Sequence, residues 1–368
     1  MKKRNQGFTL VEVMIALVIA SITAVVVLNV LSSFQTRKQT TAGTNEAAIS
    51  ASLGMYAIER EVRMAGAGYT NALGLACPQG VNIAYNGATV VDGGQVMPLM
   101  IVDGGGNNPD QINIVRSNAD LGVAPATVMA PMATAVANVI VDRNAGFNVN
   151  DLLLVTSNDG SQRCTIMQLS GAPTALGGNW QLPHTSALPY NPATPTAVFT
   201  NAALYQPRDS VVNLGNYGQR RFQVVCNVGA VPVDTNVCDL KWFDPLALAV
   251  APTMANTESI VSQVVDVQAQ YGVAPAGSQV VNAWVDATGA WAGVPSAANL
   301  ARIKAVRISI VTRGERDNTS PVPPTPAAVP LWTTPAVRNH VFTAAERRYR
   351  YQVLTVVVPL INVIWAGV

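Results

Sequence analysis

Charge is scarce in this chain of 368 residues. Asp, Glu, Lys and Arg make up 12% of it, about half the share of an ordinary soluble domain. The formal net charge is +2. Lys2, Lys3 and Arg4 supply three positive charges by themselves, so the chain from Phe8 onward stands near −1. A nucleic-acid binder shows a basic face, and that balance leaves no general excess to build one. The local groups Arg220 with Arg221, and Arg347, Arg348 with Arg350, are read as exposed strand residues, so nucleic acid is not an expected partner. Histidine is almost missing. His184 and His340 are the only two, and neither sits in an H-x-x-x-H pattern, so both are read as surface or loop positions. There is no C-x-x-C pair, which removes the usual zinc spacing. No Walker loop appears, which excludes an ATP-driven motor. No G-x-S-x-G elbow or nucleophile–base cluster appears either. The expectation is a protein with no metal, no cofactor and no enzymatic activity.

Four cysteines are present, Cys77, Cys164, Cys226 and Cys238. An even count fits disulfides if the body lies outside the cytoplasm, and four cysteines allow three connectivities. Cys226 and Cys238 are close enough to staple a hairpin or loop, which would leave Cys77 with Cys164. Buried free thiols are the alternative.

The long hydrophobic run is at the N-terminus. MKKRNQG is followed by FTLVEVMIALVIASITAVVVLNVLSSF, and Glu12 is the only charged side chain between Phe8 and Leu31. About 20 apolar residues in a helix span a bilayer. The basic leader should stay cytoplasmic, which places the C-terminal body on the other side. A secretory signal peptide is cut after its apolar run. Here the basic stretch ends at Gly7 before the run begins, so a cut at Gly7–Phe8 keeps the apolar helix on the mature chain. A lone carboxylate in a bilayer costs several kcal/mol and calls for a partner. The new amino group on Phe8 of a neighbouring subunit is a fitting one, and the pairing would also fix the axial stagger between subunits.

The residues G-F-T-L-V-E-V-M-I-A-L at 7 to 17 resemble the prepilin signature of type IV pilins and type II secretion pseudopilins. The resemblance implies cleavage by a prepilin peptidase after Gly7, N-methylation of Phe8 and a filament-assembly role for Glu12. It implies a leader at 1–7 and a long helix at 8–66, of which 8–31 is transmembrane and later filament core. An extracytoplasmic body follows at 67–368.

Residues 35 to 65 contain no proline, and Ala51, Met55, Ile58, Val62 and Ala65 recur at three- and four-residue spacing. Ile49, Leu53 and Tyr56 are read as widening that face. Arg37, Lys38, Glu46, Glu59, Glu61 and Arg63 are read as pointing elsewhere. Gly66 and Gly68 should end the helix. After Tyr69 the pattern turns to short β-like runs between Gly, Pro, Asn and Asp clusters. Lys304–Arg313 and Arg350–Pro359 read as neighbouring central strands of an antiparallel sheet. Pro321–Pro330 reads as an exposed loop or linker. Glu258–Gly272 reads as a short helix running into a strand. The loop Asp103–Asp110 carries oxygen side chains that would suit calcium, but it lacks the EF-hand spacing and a closing Glu; turn chemistry accounts for it equally. The six tryptophans read as core or interface anchors.

The runs VVDVQAQYGV, IKAVRISIVTRG and YRYQVLTVVVPLINVIW, with IEREVRMAGAGY at 58 to 69, look like minor pilins of the PilW type. The implied fold is α+β and type IV pilin-like: a long N-terminal helix packed on an antiparallel β-sheet, with a large β-rich insertion. Residues 75–250 would be the variable region and 256–368 the core sheet. The implied role is a minor pilin that primes type IV pilus assembly, sits at the pilus tip and supports twitching motility and adhesion. Its implied partners are other minor pilins, the major pilin, the prepilin peptidase and the inner-membrane assembly platform. The implied location is the bacterial inner membrane, with a single pass and a periplasmic body, and then the pilus at the cell surface. The alternatives are a J-type minor pseudopilin of type II secretion and a tip adhesin or DNA-uptake subunit.

Overall fold

The structure, a computed structural model, describes residues 9–67, 70–71, 74–75, 77–117, 124–186, 188–215, 218–227, 237–248, 250–316, 322–334 and 336–365. It is α+β, with 37% strand and 21% helix. One helix, Leu10–Arg63, dominates, and at 1.5 Å per residue it is about 80 Å long. Thr9 caps its start in a reciprocal capping box with Glu12. Beyond Met64, Gly66 takes φ +78 and turns the chain away. Gly68, the second expected stop, lies outside the described residues.

The two halves of the helix differ. The large apolar side chains from Leu10 to Phe34 are exposed on every side. Leu10–Gln35 is the one helical stretch among the described residues that is long and apolar enough to cross a bilayer. In the second half, Gly43, Ala47, Ala51, Gly54, Met55, Ile58, Val62 and Ala65 are buried. Their three- and four-residue steps form one stripe. The structure corrects the reading of Ile49, Leu53 and Tyr56. They are 67%, 52% and 63% exposed. Each lies two residues from a member of the buried stripe, which is roughly 200° around a helix of 3.6 residues per turn. They sit on the opposite side. Glu61, expected to point outward, is instead buried at 2% exposure.

The buried stripe rests on two antiparallel sheets. The four-stranded sheet runs Ala283–Val285, Val264–Val273, Ile303–Arg316, Tyr349–Pro359. The last two strands pair as expected, from Ala305 opposite Pro359 to Arg313 opposite Tyr351. Of these two, Ile303–Arg316 is central and Tyr349–Pro359 is an edge. Val306, Ile308 and Ile310 are wholly buried in the same core as the helix stripe. The five-stranded sheet runs Glu258–Ser262, Cys238–Phe243, Gly218–Cys226, Gln111–Arg116, Leu99–Val102.

Glu258–Gly272 holds no helix. It forms two strands, because Ile260, Val261, Val264, Val265 and Val267 favour extended backbone. Between them Gln263 takes φ +62 and carries the chain from one sheet to the other.

The four-stranded sheet lies within 256–368, and residues before 250 also reach the helix. Leu99, Ile101, Ile112, Ile114, Phe222 and Leu240 share one core with the helix and with Val267, Tyr271 and Ile308. The middle region therefore supplies much of the helix's seat. The rest of it forms a six-stranded sheet and a three-stranded sheet with cores of their own.

The hairpin Ala328–Trp332 with Arg338–Val341 covers the other face of the four-stranded sheet. Leu331, Trp332 and Phe342 pack there on Val311. The proline-rich stretch is consequently not a free loop. Pro330 lies within a strand, Thr325 is buried, and Thr325 N–H donates to Arg347 O. Pro321 is outside the described residues.

Candidate functional site

The candidate site is the long helix together with the surfaces that hold it. Gly7 and Phe8 lie outside the described residues. Glu12 sits in the first turn of the helix. Its Oε2 accepts from the Thr9 N–H and the Thr9 hydroxyl, both at 2.9 Å. The other carboxylate oxygen takes no hydrogen bond among the described residues.

The helix is seated unusually close to Ile303–Arg316. A Cβ on Gly314 would stand 2.6 Å from the Gly43 carbonyl oxygen, and one on Gly54 would stand 2.8 Å from Ile310 Cδ1. Only glycine allows backbone to approach that closely. At the same seam the Thr312 hydroxyl donates to the Ala47 carbonyl at 2.7 Å.

The helix end is held from three places distant in sequence. Asn362 Nδ2 donates to the Ala65 carbonyl at 2.9 Å. Gly66 N–H donates to Val115 O at 2.9 Å, and Ser117 N–H donates to Ala67 O at 3.1 Å. Arg116 Nε lies 2.6 Å from Glu61 Oε2. A buried carboxylate without a cation would be costly, so Arg116 explains why Glu61 can face inward. These contacts fix the helix end to the body, and force along the helix passes into the sheets.

Gly314 carried a weak signal in the sequence, as a glycine closing a β-branched run. Arg116, Thr312 and Asn362 carried none, because their partners lie far along the chain.

Both disulfides are formed, Cys77–Cys164 and Cys226–Cys238. The second joins residues directly opposite on neighbouring strands. The first ties the start of the body to the strand Cys164–Gln168.

Other candidate residues prove structural. His184 and His340 are buried, not surface residues. His184 Nε2 lies 2.7 Å from Ala137 O, and burial lowers its pKa. His340 Nδ1 lies 2.6 Å from Asp266 Oδ2. Asp110 turns its oxygens to the Gly104 and Ala269 N–H groups at 2.9 and 2.8 Å. Burial pushes its carboxyl up to about 7 against those two bonds, with Asp103 and Asp266 adding to the rise. Asp103 accepts from Gly105 N–H, and Gly105 and Gly106 take positive φ. The carboxylates thus bond to backbone N–H groups of the loop and of the neighbouring strand Val264–Val273. Among the described residues no group of three acids, histidines or cysteines could hold a metal ion.

The arginines expected on exposed strands are half-buried and engaged. Arg220 stacks 3.5 Å over Trp242, and Arg221 Nε donates to Asn113 at 2.7 Å. Arg347 and Arg348 lie in the turn Glu346–Arg348 rather than in a strand. Trp284 and Trp332 flank Arg307.

A family model described as Type IV Pilus-assembly protein W matches residues 245–362. It covers the four-stranded sheet, its covering hairpin and the Asn362 cap. A second model, the Prokaryotic N-terminal methylation motif, matches residues 2–28. No curated protein and no solved structure matches the chain. With the methylation motif at one end and the protein W domain at the other, the chain carries the features of a type IV minor pilin of the PilW type.

Proposed function

We propose that this chain is a minor pilin that joins other minor pilins in the inner membrane, primes type IV pilus assembly and remains at the tip. The observation that carries the reading is the uncovered apolar stretch Leu10–Gln35, with one acid near its start, continuous with a helix half that is seated on a folded body. Such a stretch must be covered by lipid or by other helices. Ile49, Leu53 and Tyr56 continue the bare apolar surface along the helix, which suits packing against neighbouring helices. Pulling subunits from a membrane is slow to begin unless a pre-formed cluster offers the first binding surface, and a low-copy subunit with a bulky body fits that position. The protein W match favours the pilus over a secretion pseudopilin. The expected partners are the prepilin peptidase, other minor pilins, the major pilin and the assembly platform.

Deleting the chain is expected to remove most surface pili and twitching motility; normal piliation of the deletion strain contradicts the reading. Glu12→Val should still be cleaved after Gly7 but be incorporated poorly into filaments. Normal incorporation of that variant contradicts the proposed pairing of Glu12 with a neighbour's Phe8 amine.

A further inference from the structure

Among the described residues, the strand Tyr349–Pro359 is paired on one side only. Leu360 N–H donates to Lys304 O, and the register continues without a break from Ala305–Pro359 to Arg313–Tyr351. In an antiparallel ladder, paired residues alternate between bonding inward and pointing outward. The Lys304–Leu360 bond sets the phase. Even-numbered residues bond to Ile303–Arg316, while Tyr351, Val353, Thr355 and Val357 turn their N–H and C=O groups outward. The outward Tyr349 carbonyl agrees with this phase, because it accepts from the Thr325 hydroxyl rather than from the sheet. Gln352 covers the Val353 carbonyl at 3.1 Å. Among the described residues, none of the four outward N–H groups meets a backbone acceptor.

Several other sheet edges among the described residues are capped, broken or short. On Leu99–Val102 the Ile101 N–H donates to the Tyr271 hydroxyl at 2.7 Å. Ala88–Gly94 is broken by two register shifts. Ala283–Val285 and Thr174–Leu176 are only three residues long. Natural proteins shorten, bulge, charge or cover their edges to prevent pairing with another chain. Tyr351–Val357 has no bulge, proline, lysine or acid. Burial is also incomplete there. Ile308 and Ile310 are fully buried beneath the helix, while Leu354 and Val356 in the next strand are only half-buried, and Val357 is 51% exposed.

We propose that this edge takes an extended segment of a partner chain as a fifth strand. Only an extended backbone offers donors and acceptors at the ladder's repeat. The partner segment spans about seven residues, roughly 23 Å. It carries apolar side chains at alternate positions, which complete the burial of Leu354 and Val356. Its end beside Tyr351 is acidic, because Arg347, Arg348 and Arg350 outnumber Glu346 there. This inference does not rest on the filament reading and holds for any assembly of the chain.

The test uses the full-length chain in detergent micelles. The probe is an acetylated peptide of alternating Thr and Val ending in Asp-Glu, with a Lys-Lys ending as the control. The acidic peptide is expected to slow amide exchange at Tyr351, Val353, Thr355 and Val357 by about tenfold or more, and the basic one to do so less. Val357→Pro removes an outward N–H and leaves the internal ladder intact, so it should weaken binding by about tenfold. Val357→Ala should bind as the parent does. Exchange at the inward amides of Val356 and Val358 reports whether the proline variant keeps its fold. Val357→Lys, with an unaltered backbone, gives a second blocking variant. Absence of slowing at the four amides, or equal binding by the parent, the proline and the lysine variants, overturns the proposal.

Discussion

The seam between helix and sheet can be tested at one atom. Gly314→Ala places a Cβ 2.6 Å from the Gly43 carbonyl oxygen and 3.2 Å from its carbon. Ordinary contact begins roughly 0.8 Å further out. Both partners are backbone, so no side chain can swing aside. The helix must lift, and the Thr312–Ala47 bond at 2.7 Å lengthens with it. Overpacking of this kind costs about 1–3 kcal/mol, and the bond adds about 1 kcal/mol. Removing a strand glycine returns up to about 1 kcal/mol. The net expectation is a loss on the order of 2 kcal/mol. At about 2–4 °C per kcal/mol for a large domain, Tm falls by roughly 5 °C. The assay is thermal unfolding of the full chain in detergent, followed by near-ultraviolet circular dichroism. Gly218→Ala is the control, since a Cβ there meets nothing within 4 Å, and its effect should stay within about 0.5 kcal/mol. If the two variants melt together, the close approach of helix and strand is not what holds the helix down.

Three further outcomes are expected. Cys164→Ala opens a link across 87 residues and Cys238→Ala one across 12, so denaturant midpoints should show losses of about 5 and about 3 kcal/mol; the reverse order would contradict the chain-entropy argument. Arg116→Met removes the cation 2.6 Å from buried Glu61 and leaves the exposed Arg60 and the more distant Arg220 near it; it should cost about 3 kcal/mol, with partial recovery when Glu61→Gln is added. Asp110 has its folded pKa raised to about 7 from an ordinary 3.8, so the stability it contributes is complete below about pH 3.8 and is lost as pH rises toward 7. At about 1.4 kcal/mol per pKa unit this amounts to up to about 4 kcal/mol, and Asp110→Asn should flatten the pH profile of unfolding between pH 4 and 7.

The N-terminus was legible because its chemistry is local. A basic leader, a glycine, an apolar run and a single acid need no knowledge of the rest of the fold. The strands of the C-terminal sheet were legible for a similar reason, since dense β-branched runs such as Arg350–Pro359 form strands wherever they pair. Their order was not legible. Pairing is decided between residues far apart, so nothing within Tyr349–Pro359 marks it as an edge. The same distance hid the seat of the helix. Leu99, Ile112 and Phe222 reach the core of Ile58 and Val62 from a region that shows no pattern linking it to the helix. Buried polar residues misled for another reason. His340, Glu61 and Thr325 look like surface residues until Asp266, Arg116 and the Tyr349 carbonyl are brought beside them.

The second half of the helix shows what kind of residue resolves such an ambiguity. It carries two apolar stripes. One holds Ala51, Met55, Ile58 and Val62, and the other holds Ile49, Leu53 and Tyr56. Hydrophobicity alone favours neither, and the bulkier stripe invites burial. The small residues decide it. Gly43, Ala47, Ala51 and Gly54 all fall on the first stripe, and a glycine in a helix interior costs about 1 kcal/mol relative to alanine. Close approach to a sheet offsets that cost, and Gly54 against Ile310 and Gly43 against Gly314 show the approach being used. The stripe of small residues therefore faces the chain's own sheets. The stripe of large ones is left bare, on the same helix as the uncovered run from Leu10 to Phe34. Glycine placement assigns the two faces where apolar periodicity only counts them.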